Sequence, residues 1–199
     1  MNYLAHAYLS FDQPQILAGN MISDFVKGKK QYEYGRIVQK GIKLHRAIDN
    51  FTDTHAAIKE MKQPFRPVYG LYAGVFTDIV CDYFLANDKN EFSDALVLSS
   101  FSNRTYVQLE NQADILPEAF QQAFVYMKQH NWLNNYQFQW SIQKSFAGMV
   151  RRAKFMHEAN NAFTIFQDNI EKMRPLYNDF FPALKAYTAC TLKAWENID

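Results

Sequence analysis

The sequence predicts an all-α fold, a single-domain helical bundle over residues 1–199, and three observations carry that prediction. Apolar residues recur mostly every three or four positions, the spacing that gives a helix one buried face. Glycine (7) and proline (6) are scarce, so long stretches run without a breaker. Runs of strictly alternating polar and apolar residues, the mark of a half-buried strand, are absent. The length suits one domain with a sizeable core. A hydrophobic content of 48% excludes disorder, and 17 Phe with 12 Tyr point to a core filled by large rings.

Each element follows from local signals. Residues 2–10 read as a short apolar helix carrying His6. Asp12 and Pro14 punctuate the chain, and because proline is tolerated in a first helical turn, a second helix runs from there to about Val26. Residues 27–30 are a basic, Gly-containing connection. Ile37, Ile42, Leu44, Ile48 and Phe51 set the spacing of a helix from about Glu33. Pro64 and Pro67 interrupt the chain before residues 72–86, a stretch apolar on nearly every side. A polar turn at 87–90 precedes a helix over 92–109, and Pro117 opens another toward His130. Asn131, Asn134 and Asn135 mark a break. Residues 142–155 and 163–177 form two further helices, and Pro182 starts a last one ending near Trp195. No repeat, low-complexity segment or domain linker interrupts this series.

The stretch 72–86 sets the functional question. Its Asp78 and Asp82 sit one turn apart and share a helix face, where like charges repel and an unpartnered buried carboxylate is costly. Something positive must offset them. A hard divalent cation suits oxygen ligands, whereas arginine partners or a solvated stripe are the plainer explanation. The stretch GIKLHRAIDNFTDTH, residues 41–55, places His45 and Asp49 four apart. That pair can bind a cation, or the acid can orient the imidazole, and a core histidine satisfied by its own helix neighbour fits the same spacing. Arg46 is rotated away from that face, placed to grip a phosphate or to be solvated. In GNMISDFVKG, residues 19–28, Asn20 and Asp24 are again four apart on an otherwise apolar segment. His6 is a fourth polar intrusion. Together these segments offer two histidines and four acids on core-facing helices, the donor types from which helical bundles build metal sites. His55 follows Thr52, Asp53 and Thr54 in a turn or cap cluster, and His130 and His157 stand in polar contexts as surface residues.

Other chemistries drop out. There is no Gly-rich phosphate loop, paired Cys motif or G-x-S-x-G turn. A net charge of +1 exerts no global pull on nucleic acid. Of the two cysteines, Cys81 falls in an apolar stretch and reads as a buried thiol in a reducing compartment. The start lacks a signal-peptide pattern, and no apolar run approaches the roughly 20 residues of a membrane helix. A soluble, cytoplasmic protein without membrane or nucleic-acid partners is therefore expected. Locally, Lys27, Lys29, Lys30, Arg36, Lys40, Lys43 and Arg46 face a single acid, Glu33. Lys144, Arg151, Arg152 and Lys154 have no acid among residues 141–157. Such patches steer an acidic macromolecule or a phosphate, although a solvated helix face accounts equally well for the second.

With MNYLAH at the start, then GNMISDFVKG, GIKLHRAID followed by FTD, and TDIVCDYFLA, the chain resembles the acyl carrier protein phosphodiesterase family, the holo-acyl-carrier-protein hydrolases. The likeness covers roughly the first 90 residues, with a weaker echo at Trp132, Leu133, Tyr136, Gly148 and Met149 and the arginines beyond. It implies an HD-phosphohydrolase-like helical fold and dependence on Mn2+, with Mg2+ or Fe2+ as the other candidates. It also implies hydrolysis of the phosphodiester that joins 4′-phosphopantetheine to a serine of acyl carrier protein, a step in fatty acid and lipid metabolism. Asp24 corresponds to the family's metal-associated aspartate, His45 to the histidine of its LHR-ID motif, and Asp78 and Asp82 to the two acids of its later helix. One position departs: the family usually has His directly after the second of those acids, where this chain has Tyr83. A tyrosine removes the imidazole and keeps a hydroxyl that can donate to phosphate.

The combined expectation is that His6, Asp24, His45, Asp78 and Asp82 hold one or two Mn2+ ions, with Asp49 as a further ligand or as the partner that orients one. Asp24, His45, Asp78 and Asp82 would carry catalysis, and Arg46, Lys43, Arg151 and Arg152 would engage the phosphate or the acidic carrier. Three rivals remain at this stage: an HD-like phosphohydrolase acting on a nucleotide or other small phosphodiester, a carrier-protein-binding module without catalysis, and a helical bundle whose acids merely pair with arginines. Oligomeric state has no signature in the sequence.

Overall fold

The computed structural model describes residues 1–152 and 159–196, which form eleven α-helices joined by short 3-10 turns, with no strand among the described residues. In chain order these are α1 (Tyr3–Tyr8), α2 (Pro14–Ile22), α3 (Arg36–Thr54), α4 (Ala56–Met61), α5 (Arg66–Tyr69), α6 (Ala73–Ala86), α7 (Ala95–Glu110), α8 (Glu118–Gln129), α9 (Trp132–Asn135), α10 (Gln139–Arg152) and α11 (Ala159–Glu196). The predicted all-α class is thus what the chain adopts. Local signals act where expected. Asn2 caps α1 by accepting from the Tyr3 N–H, Pro14 opens α2, and Asp94 caps α7 by accepting from Leu96 and Val97. His55 caps α4, its Nδ1 accepting from the Ala57 N–H at 3.3 Å.

Several boundaries depart from the sequence reading, among them the end of α2, which stops at Ile22 and passes into a 3-10 turn instead of running to about Val26. The basic connection at 27–30 is part of a 3-10 turn, Gly28–Glu33, so α3 begins at Arg36. More substantially, Pro182 does not start a helix, because α11 runs unbroken through both Pro175 and Pro182. A proline inside a helix costs about 3 kcal/mol. Against that, Phe166, Met173, Tyr177, Phe180, Phe181, Leu184 and Leu192 are all buried along α11, at about 1.5–3 kcal/mol for each fully buried side chain. Burial therefore decides the continuity. The end of the helix expected over 142–155, with Lys154 and His157, lies outside the described residues.

The interior is organised around α6, on which α1, α10 and α11 pack. Among the described residues, Arg66–Ala86 is the one stretch long and apolar enough to match a membrane span by length and composition. It is broken by the turn at Gly70, and α6 supplies Phe76, Val80, Cys81, Phe84 and Leu85 to the core. Phe146 of α10 meets Phe76 edge-on at 5.1 Å. Beside this centre α2 and α3 cross in close backbone contact. A Cβ added to Gly19 would lie 2.1 Å from the Val38 carbonyl oxygen, and one on Gly41 would lie 2.3 Å from that of Ile16. Only glycine permits that approach. The crossing brings α2 main chain within reach of α3 side chains.

Candidate metal centre

His6 on α1 and His45 on α3 are both buried, and their rings stack with centroids 4.0 Å apart. Each presents Nδ1 to an oxygen of the same residue. His6 Nδ1 lies 2.9 Å from Asn20 Oδ1, and His45 Nδ1 lies 2.7 Å from the Asn20 main-chain oxygen. The carbonyl can only accept, so His45 Nδ1 carries the hydrogen. Asn20 Nδ2 donates to the His6 carbonyl at 2.8 Å and to Ser10 Oγ at 3.0 Å, which leaves Oδ1 as the acceptor facing His6. In its neutral form each imidazole thus turns a bare Nε2 toward the carboxylates.

Those carboxylates come from two elements. Asp49, one turn beyond His45 on α3, places Oδ2 3.1 Å from His45 Nε2 and Oδ1 3.2 Å from His6 Nε2. Asp24, in the 3-10 turn Ser23–Phe25 after α2, places Oδ1 3.3 Å from His45 Nε2. A lone pair facing a carboxylate is repulsive unless a cation lies between them. In the metal-free protein that cation is a proton on His45. Burial disfavours its charged form, but the hydrogen bonds to Asp24 and Asp49 prevail and push its pKa up to about 9. Burial, reinforced by the neighbouring His45, pushes His6 down to about 4. The hydrogen bond from His45 holds Asp24 below the usual carboxylate range. Burial opposes ionisation of Asp49, yet the hydrogen bond from His45 holds it far below that range.

The donor set fits a divalent metal. Ligand atoms of His6, His45 and Asp49 lie within 4.8 Å of one another, and His6 Nε2 is buried without an aligned hydrogen-bond partner. Mixed imidazole and carboxylate donors suit ions of the Mn2+ and Fe2+ kind.

Asp78 and Asp82 share one face of α6, as their spacing requires, but what meets that face is the beginning of the chain. Asp82 is fully buried and accepts from the Leu4 N–H at 2.7 Å and from those of Asn2 and Ala5 at 3.3 Å each. Burial pushes its pKa up to about 7, against the Met1 ammonium and these amides. Its two oxygens are thus engaged by the positive end of α1, and Asp82 is not among the residues that line the cavity beside the imidazoles. For Asp82, the backbone amides of α1 supply the positive charge that its buried position calls for. Asp78 lies 3.1 Å from the Met1 ammonium, which is also 3.6 Å from Asp49 Oδ1, so Asp78 borders the cluster. Burial pushes Asp78 upward in pKa, with the ammonium opposing. Tyr83 packs edge-on against Phe166 at 5.3 Å and does not line the cavity described next. The family's histidine position therefore points into the core here.

The cluster closes one end of a cavity of about 1220 Å3. α10 lines the same cavity, with Trp140, Lys144, Gly148 and Arg151 recurring at helical spacing on one face while Ile142, Phe146 and Val150 are buried on the other. Lys144 Nζ sits 4.8 Å from the Trp140 ring centroid, and Trp132 of α9 touches Tyr3 of α1 at 6.1 Å. His130 is exposed and lines the same cavity. Lys43 and Arg46 are exposed on α3 outside it, and Arg46 donates to Gln31 at 3.0 Å. Arg151 lines the cavity, whereas the Arg152 side chain lies outside the described residues. Sequence reasoning placed Asn20 on the right face but gave it no task, and it assigned nothing to Trp140. Asn20 had a signal, an amide beside a glycine on an apolar helix. Trp140 had none.

A helical bundle with paired imidazoles and carboxylates beside a large cavity carries the donor types from which such bundles build metal sites. The sequence profile of the acyl carrier protein phosphodiesterase family matches residues 1–184, and the chain belongs to that family. The chain is 29% identical to the acyl carrier protein phosphodiesterase of Photorhabdus laumondii subsp. laumondii, over 92% of each chain. To those of Yersinia enterocolitica and Salmonella agona it is 28% and 26% identical, over 92% and 95% of this chain and 95% and 98% of theirs. No solved structure matches it significantly.

Proposed function

We propose that this protein is a metal-dependent phosphodiesterase that hydrolyses 4′-phosphopantetheine from holo-acyl carrier protein, leaving the apo carrier. The observation that carries this reading is the pair of Nε2 atoms turned by Asn20 toward Asp49 and Asp24 at the end of a large cavity. The names of its relatives supply the substrate class. His6, His45 and Asp49 would hold the ion, with Asp24 and Asp78 at its margin. Mn2+ suits this donor set, and Mg2+ and Fe2+ are the other candidates. When bound, such an ion polarises a phosphoryl oxygen and makes a nearby water more acidic.

The chain's own residues do the rest. Phosphoryl displacement is largely positioning and charge neutralisation, so no covalent nucleophile is required. Water oxygen bonds to phosphorus and gives up a proton to a carboxylate, the bond from phosphorus to the serine oxygen breaks, and the proton held by the carboxylate passes to that oxygen. Asp78, with its carboxyl pushed upward, is better matched to take up the water's proton than Asp24, which is held low. Lys144 and Arg151 offer positive charge to the phosphoryl oxygens from α10. The cavity exceeds the roughly 300–1,000 Å3 of a site for a drug-sized ligand, leaving room for a long arm beyond the phosphate. Trp132 and Trp140 give that arm an apolar ledge. Outside, Lys27, Lys29, Lys30, Arg36, Lys43 and Arg46 form an exposed basic surface beside Asp24 for an acidic carrier. A cytoplasmic setting in lipid metabolism follows from that substrate.

Mass spectrometry of holo carrier incubated with the protein and Mn2+ should show loss of the prosthetic group, and chelation should stop it. Intact holo carrier alongside hydrolysis of a nucleotide would transfer the reading to a small-phosphodiester hydrolase. Binding of the carrier with no release would make the protein a docking module.

A further inference from the structure

The geometry points to Asn20 as the single positioning residue for both imidazoles, one through its side chain and the other through its main chain. The inference rests on the metal reading above but is tested without it. A histidine ligand commonly has its second nitrogen held by its own separate carboxylate or carbonyl. Here one residue serves two rings. Asn20 Oδ1 takes His6 Nδ1 at 2.9 Å and the Asn20 carbonyl takes His45 Nδ1 at 2.7 Å, so one position fixes the tautomer and the direction of both Nε2 atoms.

Three features make that assignment specific. The amide cannot turn over without loss, because Nδ2 donates to the His6 carbonyl and Ser10 Oγ, and Ser10 Oγ itself donates to the same carbonyl at 2.8 Å. The main-chain arm depends on the glycine crossing: Gly19, the residue before Asn20, and Gly41, one turn before His45, let α2 and α3 approach closely enough. Asn20 is fully buried, so water does not compete for either bond. A neutral amide also adds no negative charge to a corner that already holds Asp24, Asp49 and Asp78. An aspartate at position 20 would supply the acceptor but lose both donations.

The two arms are separable by mutation. In Asn20→Ala the side-chain arm is gone and the carbonyl stays. Nitrogen-15 correlation spectra of histidine-labelled protein should show two exchange-protected Nδ1–H groups in the wild type. The variant should lose that of His6 and retain that of His45, with Mn2+ affinity falling about 10–100-fold. Retention of both signals, or an Mn2+ affinity within twofold of wild type, overturns the assignment. Should the variant fail to fold, the wild type decides: on adding Zn2+ as a diamagnetic probe, both Nδ1 must keep their protons while both Nε2 resonances move. Ligation through either Nδ1 overturns it. If Zn2+ and Mn2+ do not bind at all, the metal reading fails, and the metal-free spectra still establish whether Asn20 orders the two rings.

Discussion

The two ends of the cavity are built on opposite principles. At the α1–α2–α3 end the imidazoles are buried and stacked, and their Nδ1 atoms are tied to one asparagine. At the α10 end the side chains are exposed: Trp140 keeps 48% of its surface, and Lys144 and Arg151 reach into open space. The first end ties its ring atoms to fixed hydrogen-bond partners, the kind of positioning that a metal-assisted displacement needs. The second offers exposed area and charge held by ring contacts such as Lys144 over Trp140, which suits a long, flexible substrate arm. Position is demanded where bonds change, and tolerance is affordable elsewhere.

Substitutions should separate the two ends, beginning with the largest effect. Asp49→Ala removes the carboxylate shared by His6 and His45 and should lower Mn2+ affinity by more than about 100-fold, beyond what losing an outer partner costs. Calorimetric titration with Mn2+ measures this, and a change below tenfold would remove Asp49 from the centre. Asp82→Ala should cost roughly 2–4 kcal/mol of stability, because three buried or half-buried amides lose their acceptor, while Mn2+ affinity of the folded protein stays within twofold. Denaturant unfolding and titration together check it, and the reverse pattern would return Asp82 to the ion.

Proton competition gives the next effect. The His45 pKa of about 9 lies above its ordinary value, so below that pH the ion must displace a proton. Apparent Mn2+ affinity should therefore rise about tenfold per pH unit between 7 and 9 and level off above, with one proton released per ion at the lower pH. A flat profile over that interval would mean His45 is not displaced. The smallest effect belongs to the open wall. Trp140→Ala should raise KM for holo carrier about three- to tenfold with kcat unchanged, since an exposed ring contributes about 1 kcal/mol of contact. Equal loss in kcat would make α10 part of the reacting centre.

Much of this was legible in the residues. The His45–Asp49 and Asn20–Asp24 pairs lie one turn apart, and helical periodicity alone puts each pair on one face. The same rule put Asp78 and Asp82 together correctly and demanded something positive opposite them. It had no means of distinguishing a metal ion from the amides of α1, because the identity of the facing element is a matter of packing. Tyr83 is similar. Its place in a motif suggested the site, whereas its side chain packs on Phe166 of α11, some eighty positions away. Pro182 misled for the complementary reason: a local breaker was overruled by burial along the whole of α11.

By itself, the sequence determined the helical class, most helix positions and the faces on which the donors ride, since all of these arise from interactions between residues three and four apart. Only the tertiary structure decided which faces meet. The α2–α3 crossing at Gly19 and Gly41 carries Asn20 to both histidines, and the docking of α1 on α6 brings backbone amides to Asp82. Those choices depend on contacts between residues far apart in the chain, which no local period encodes.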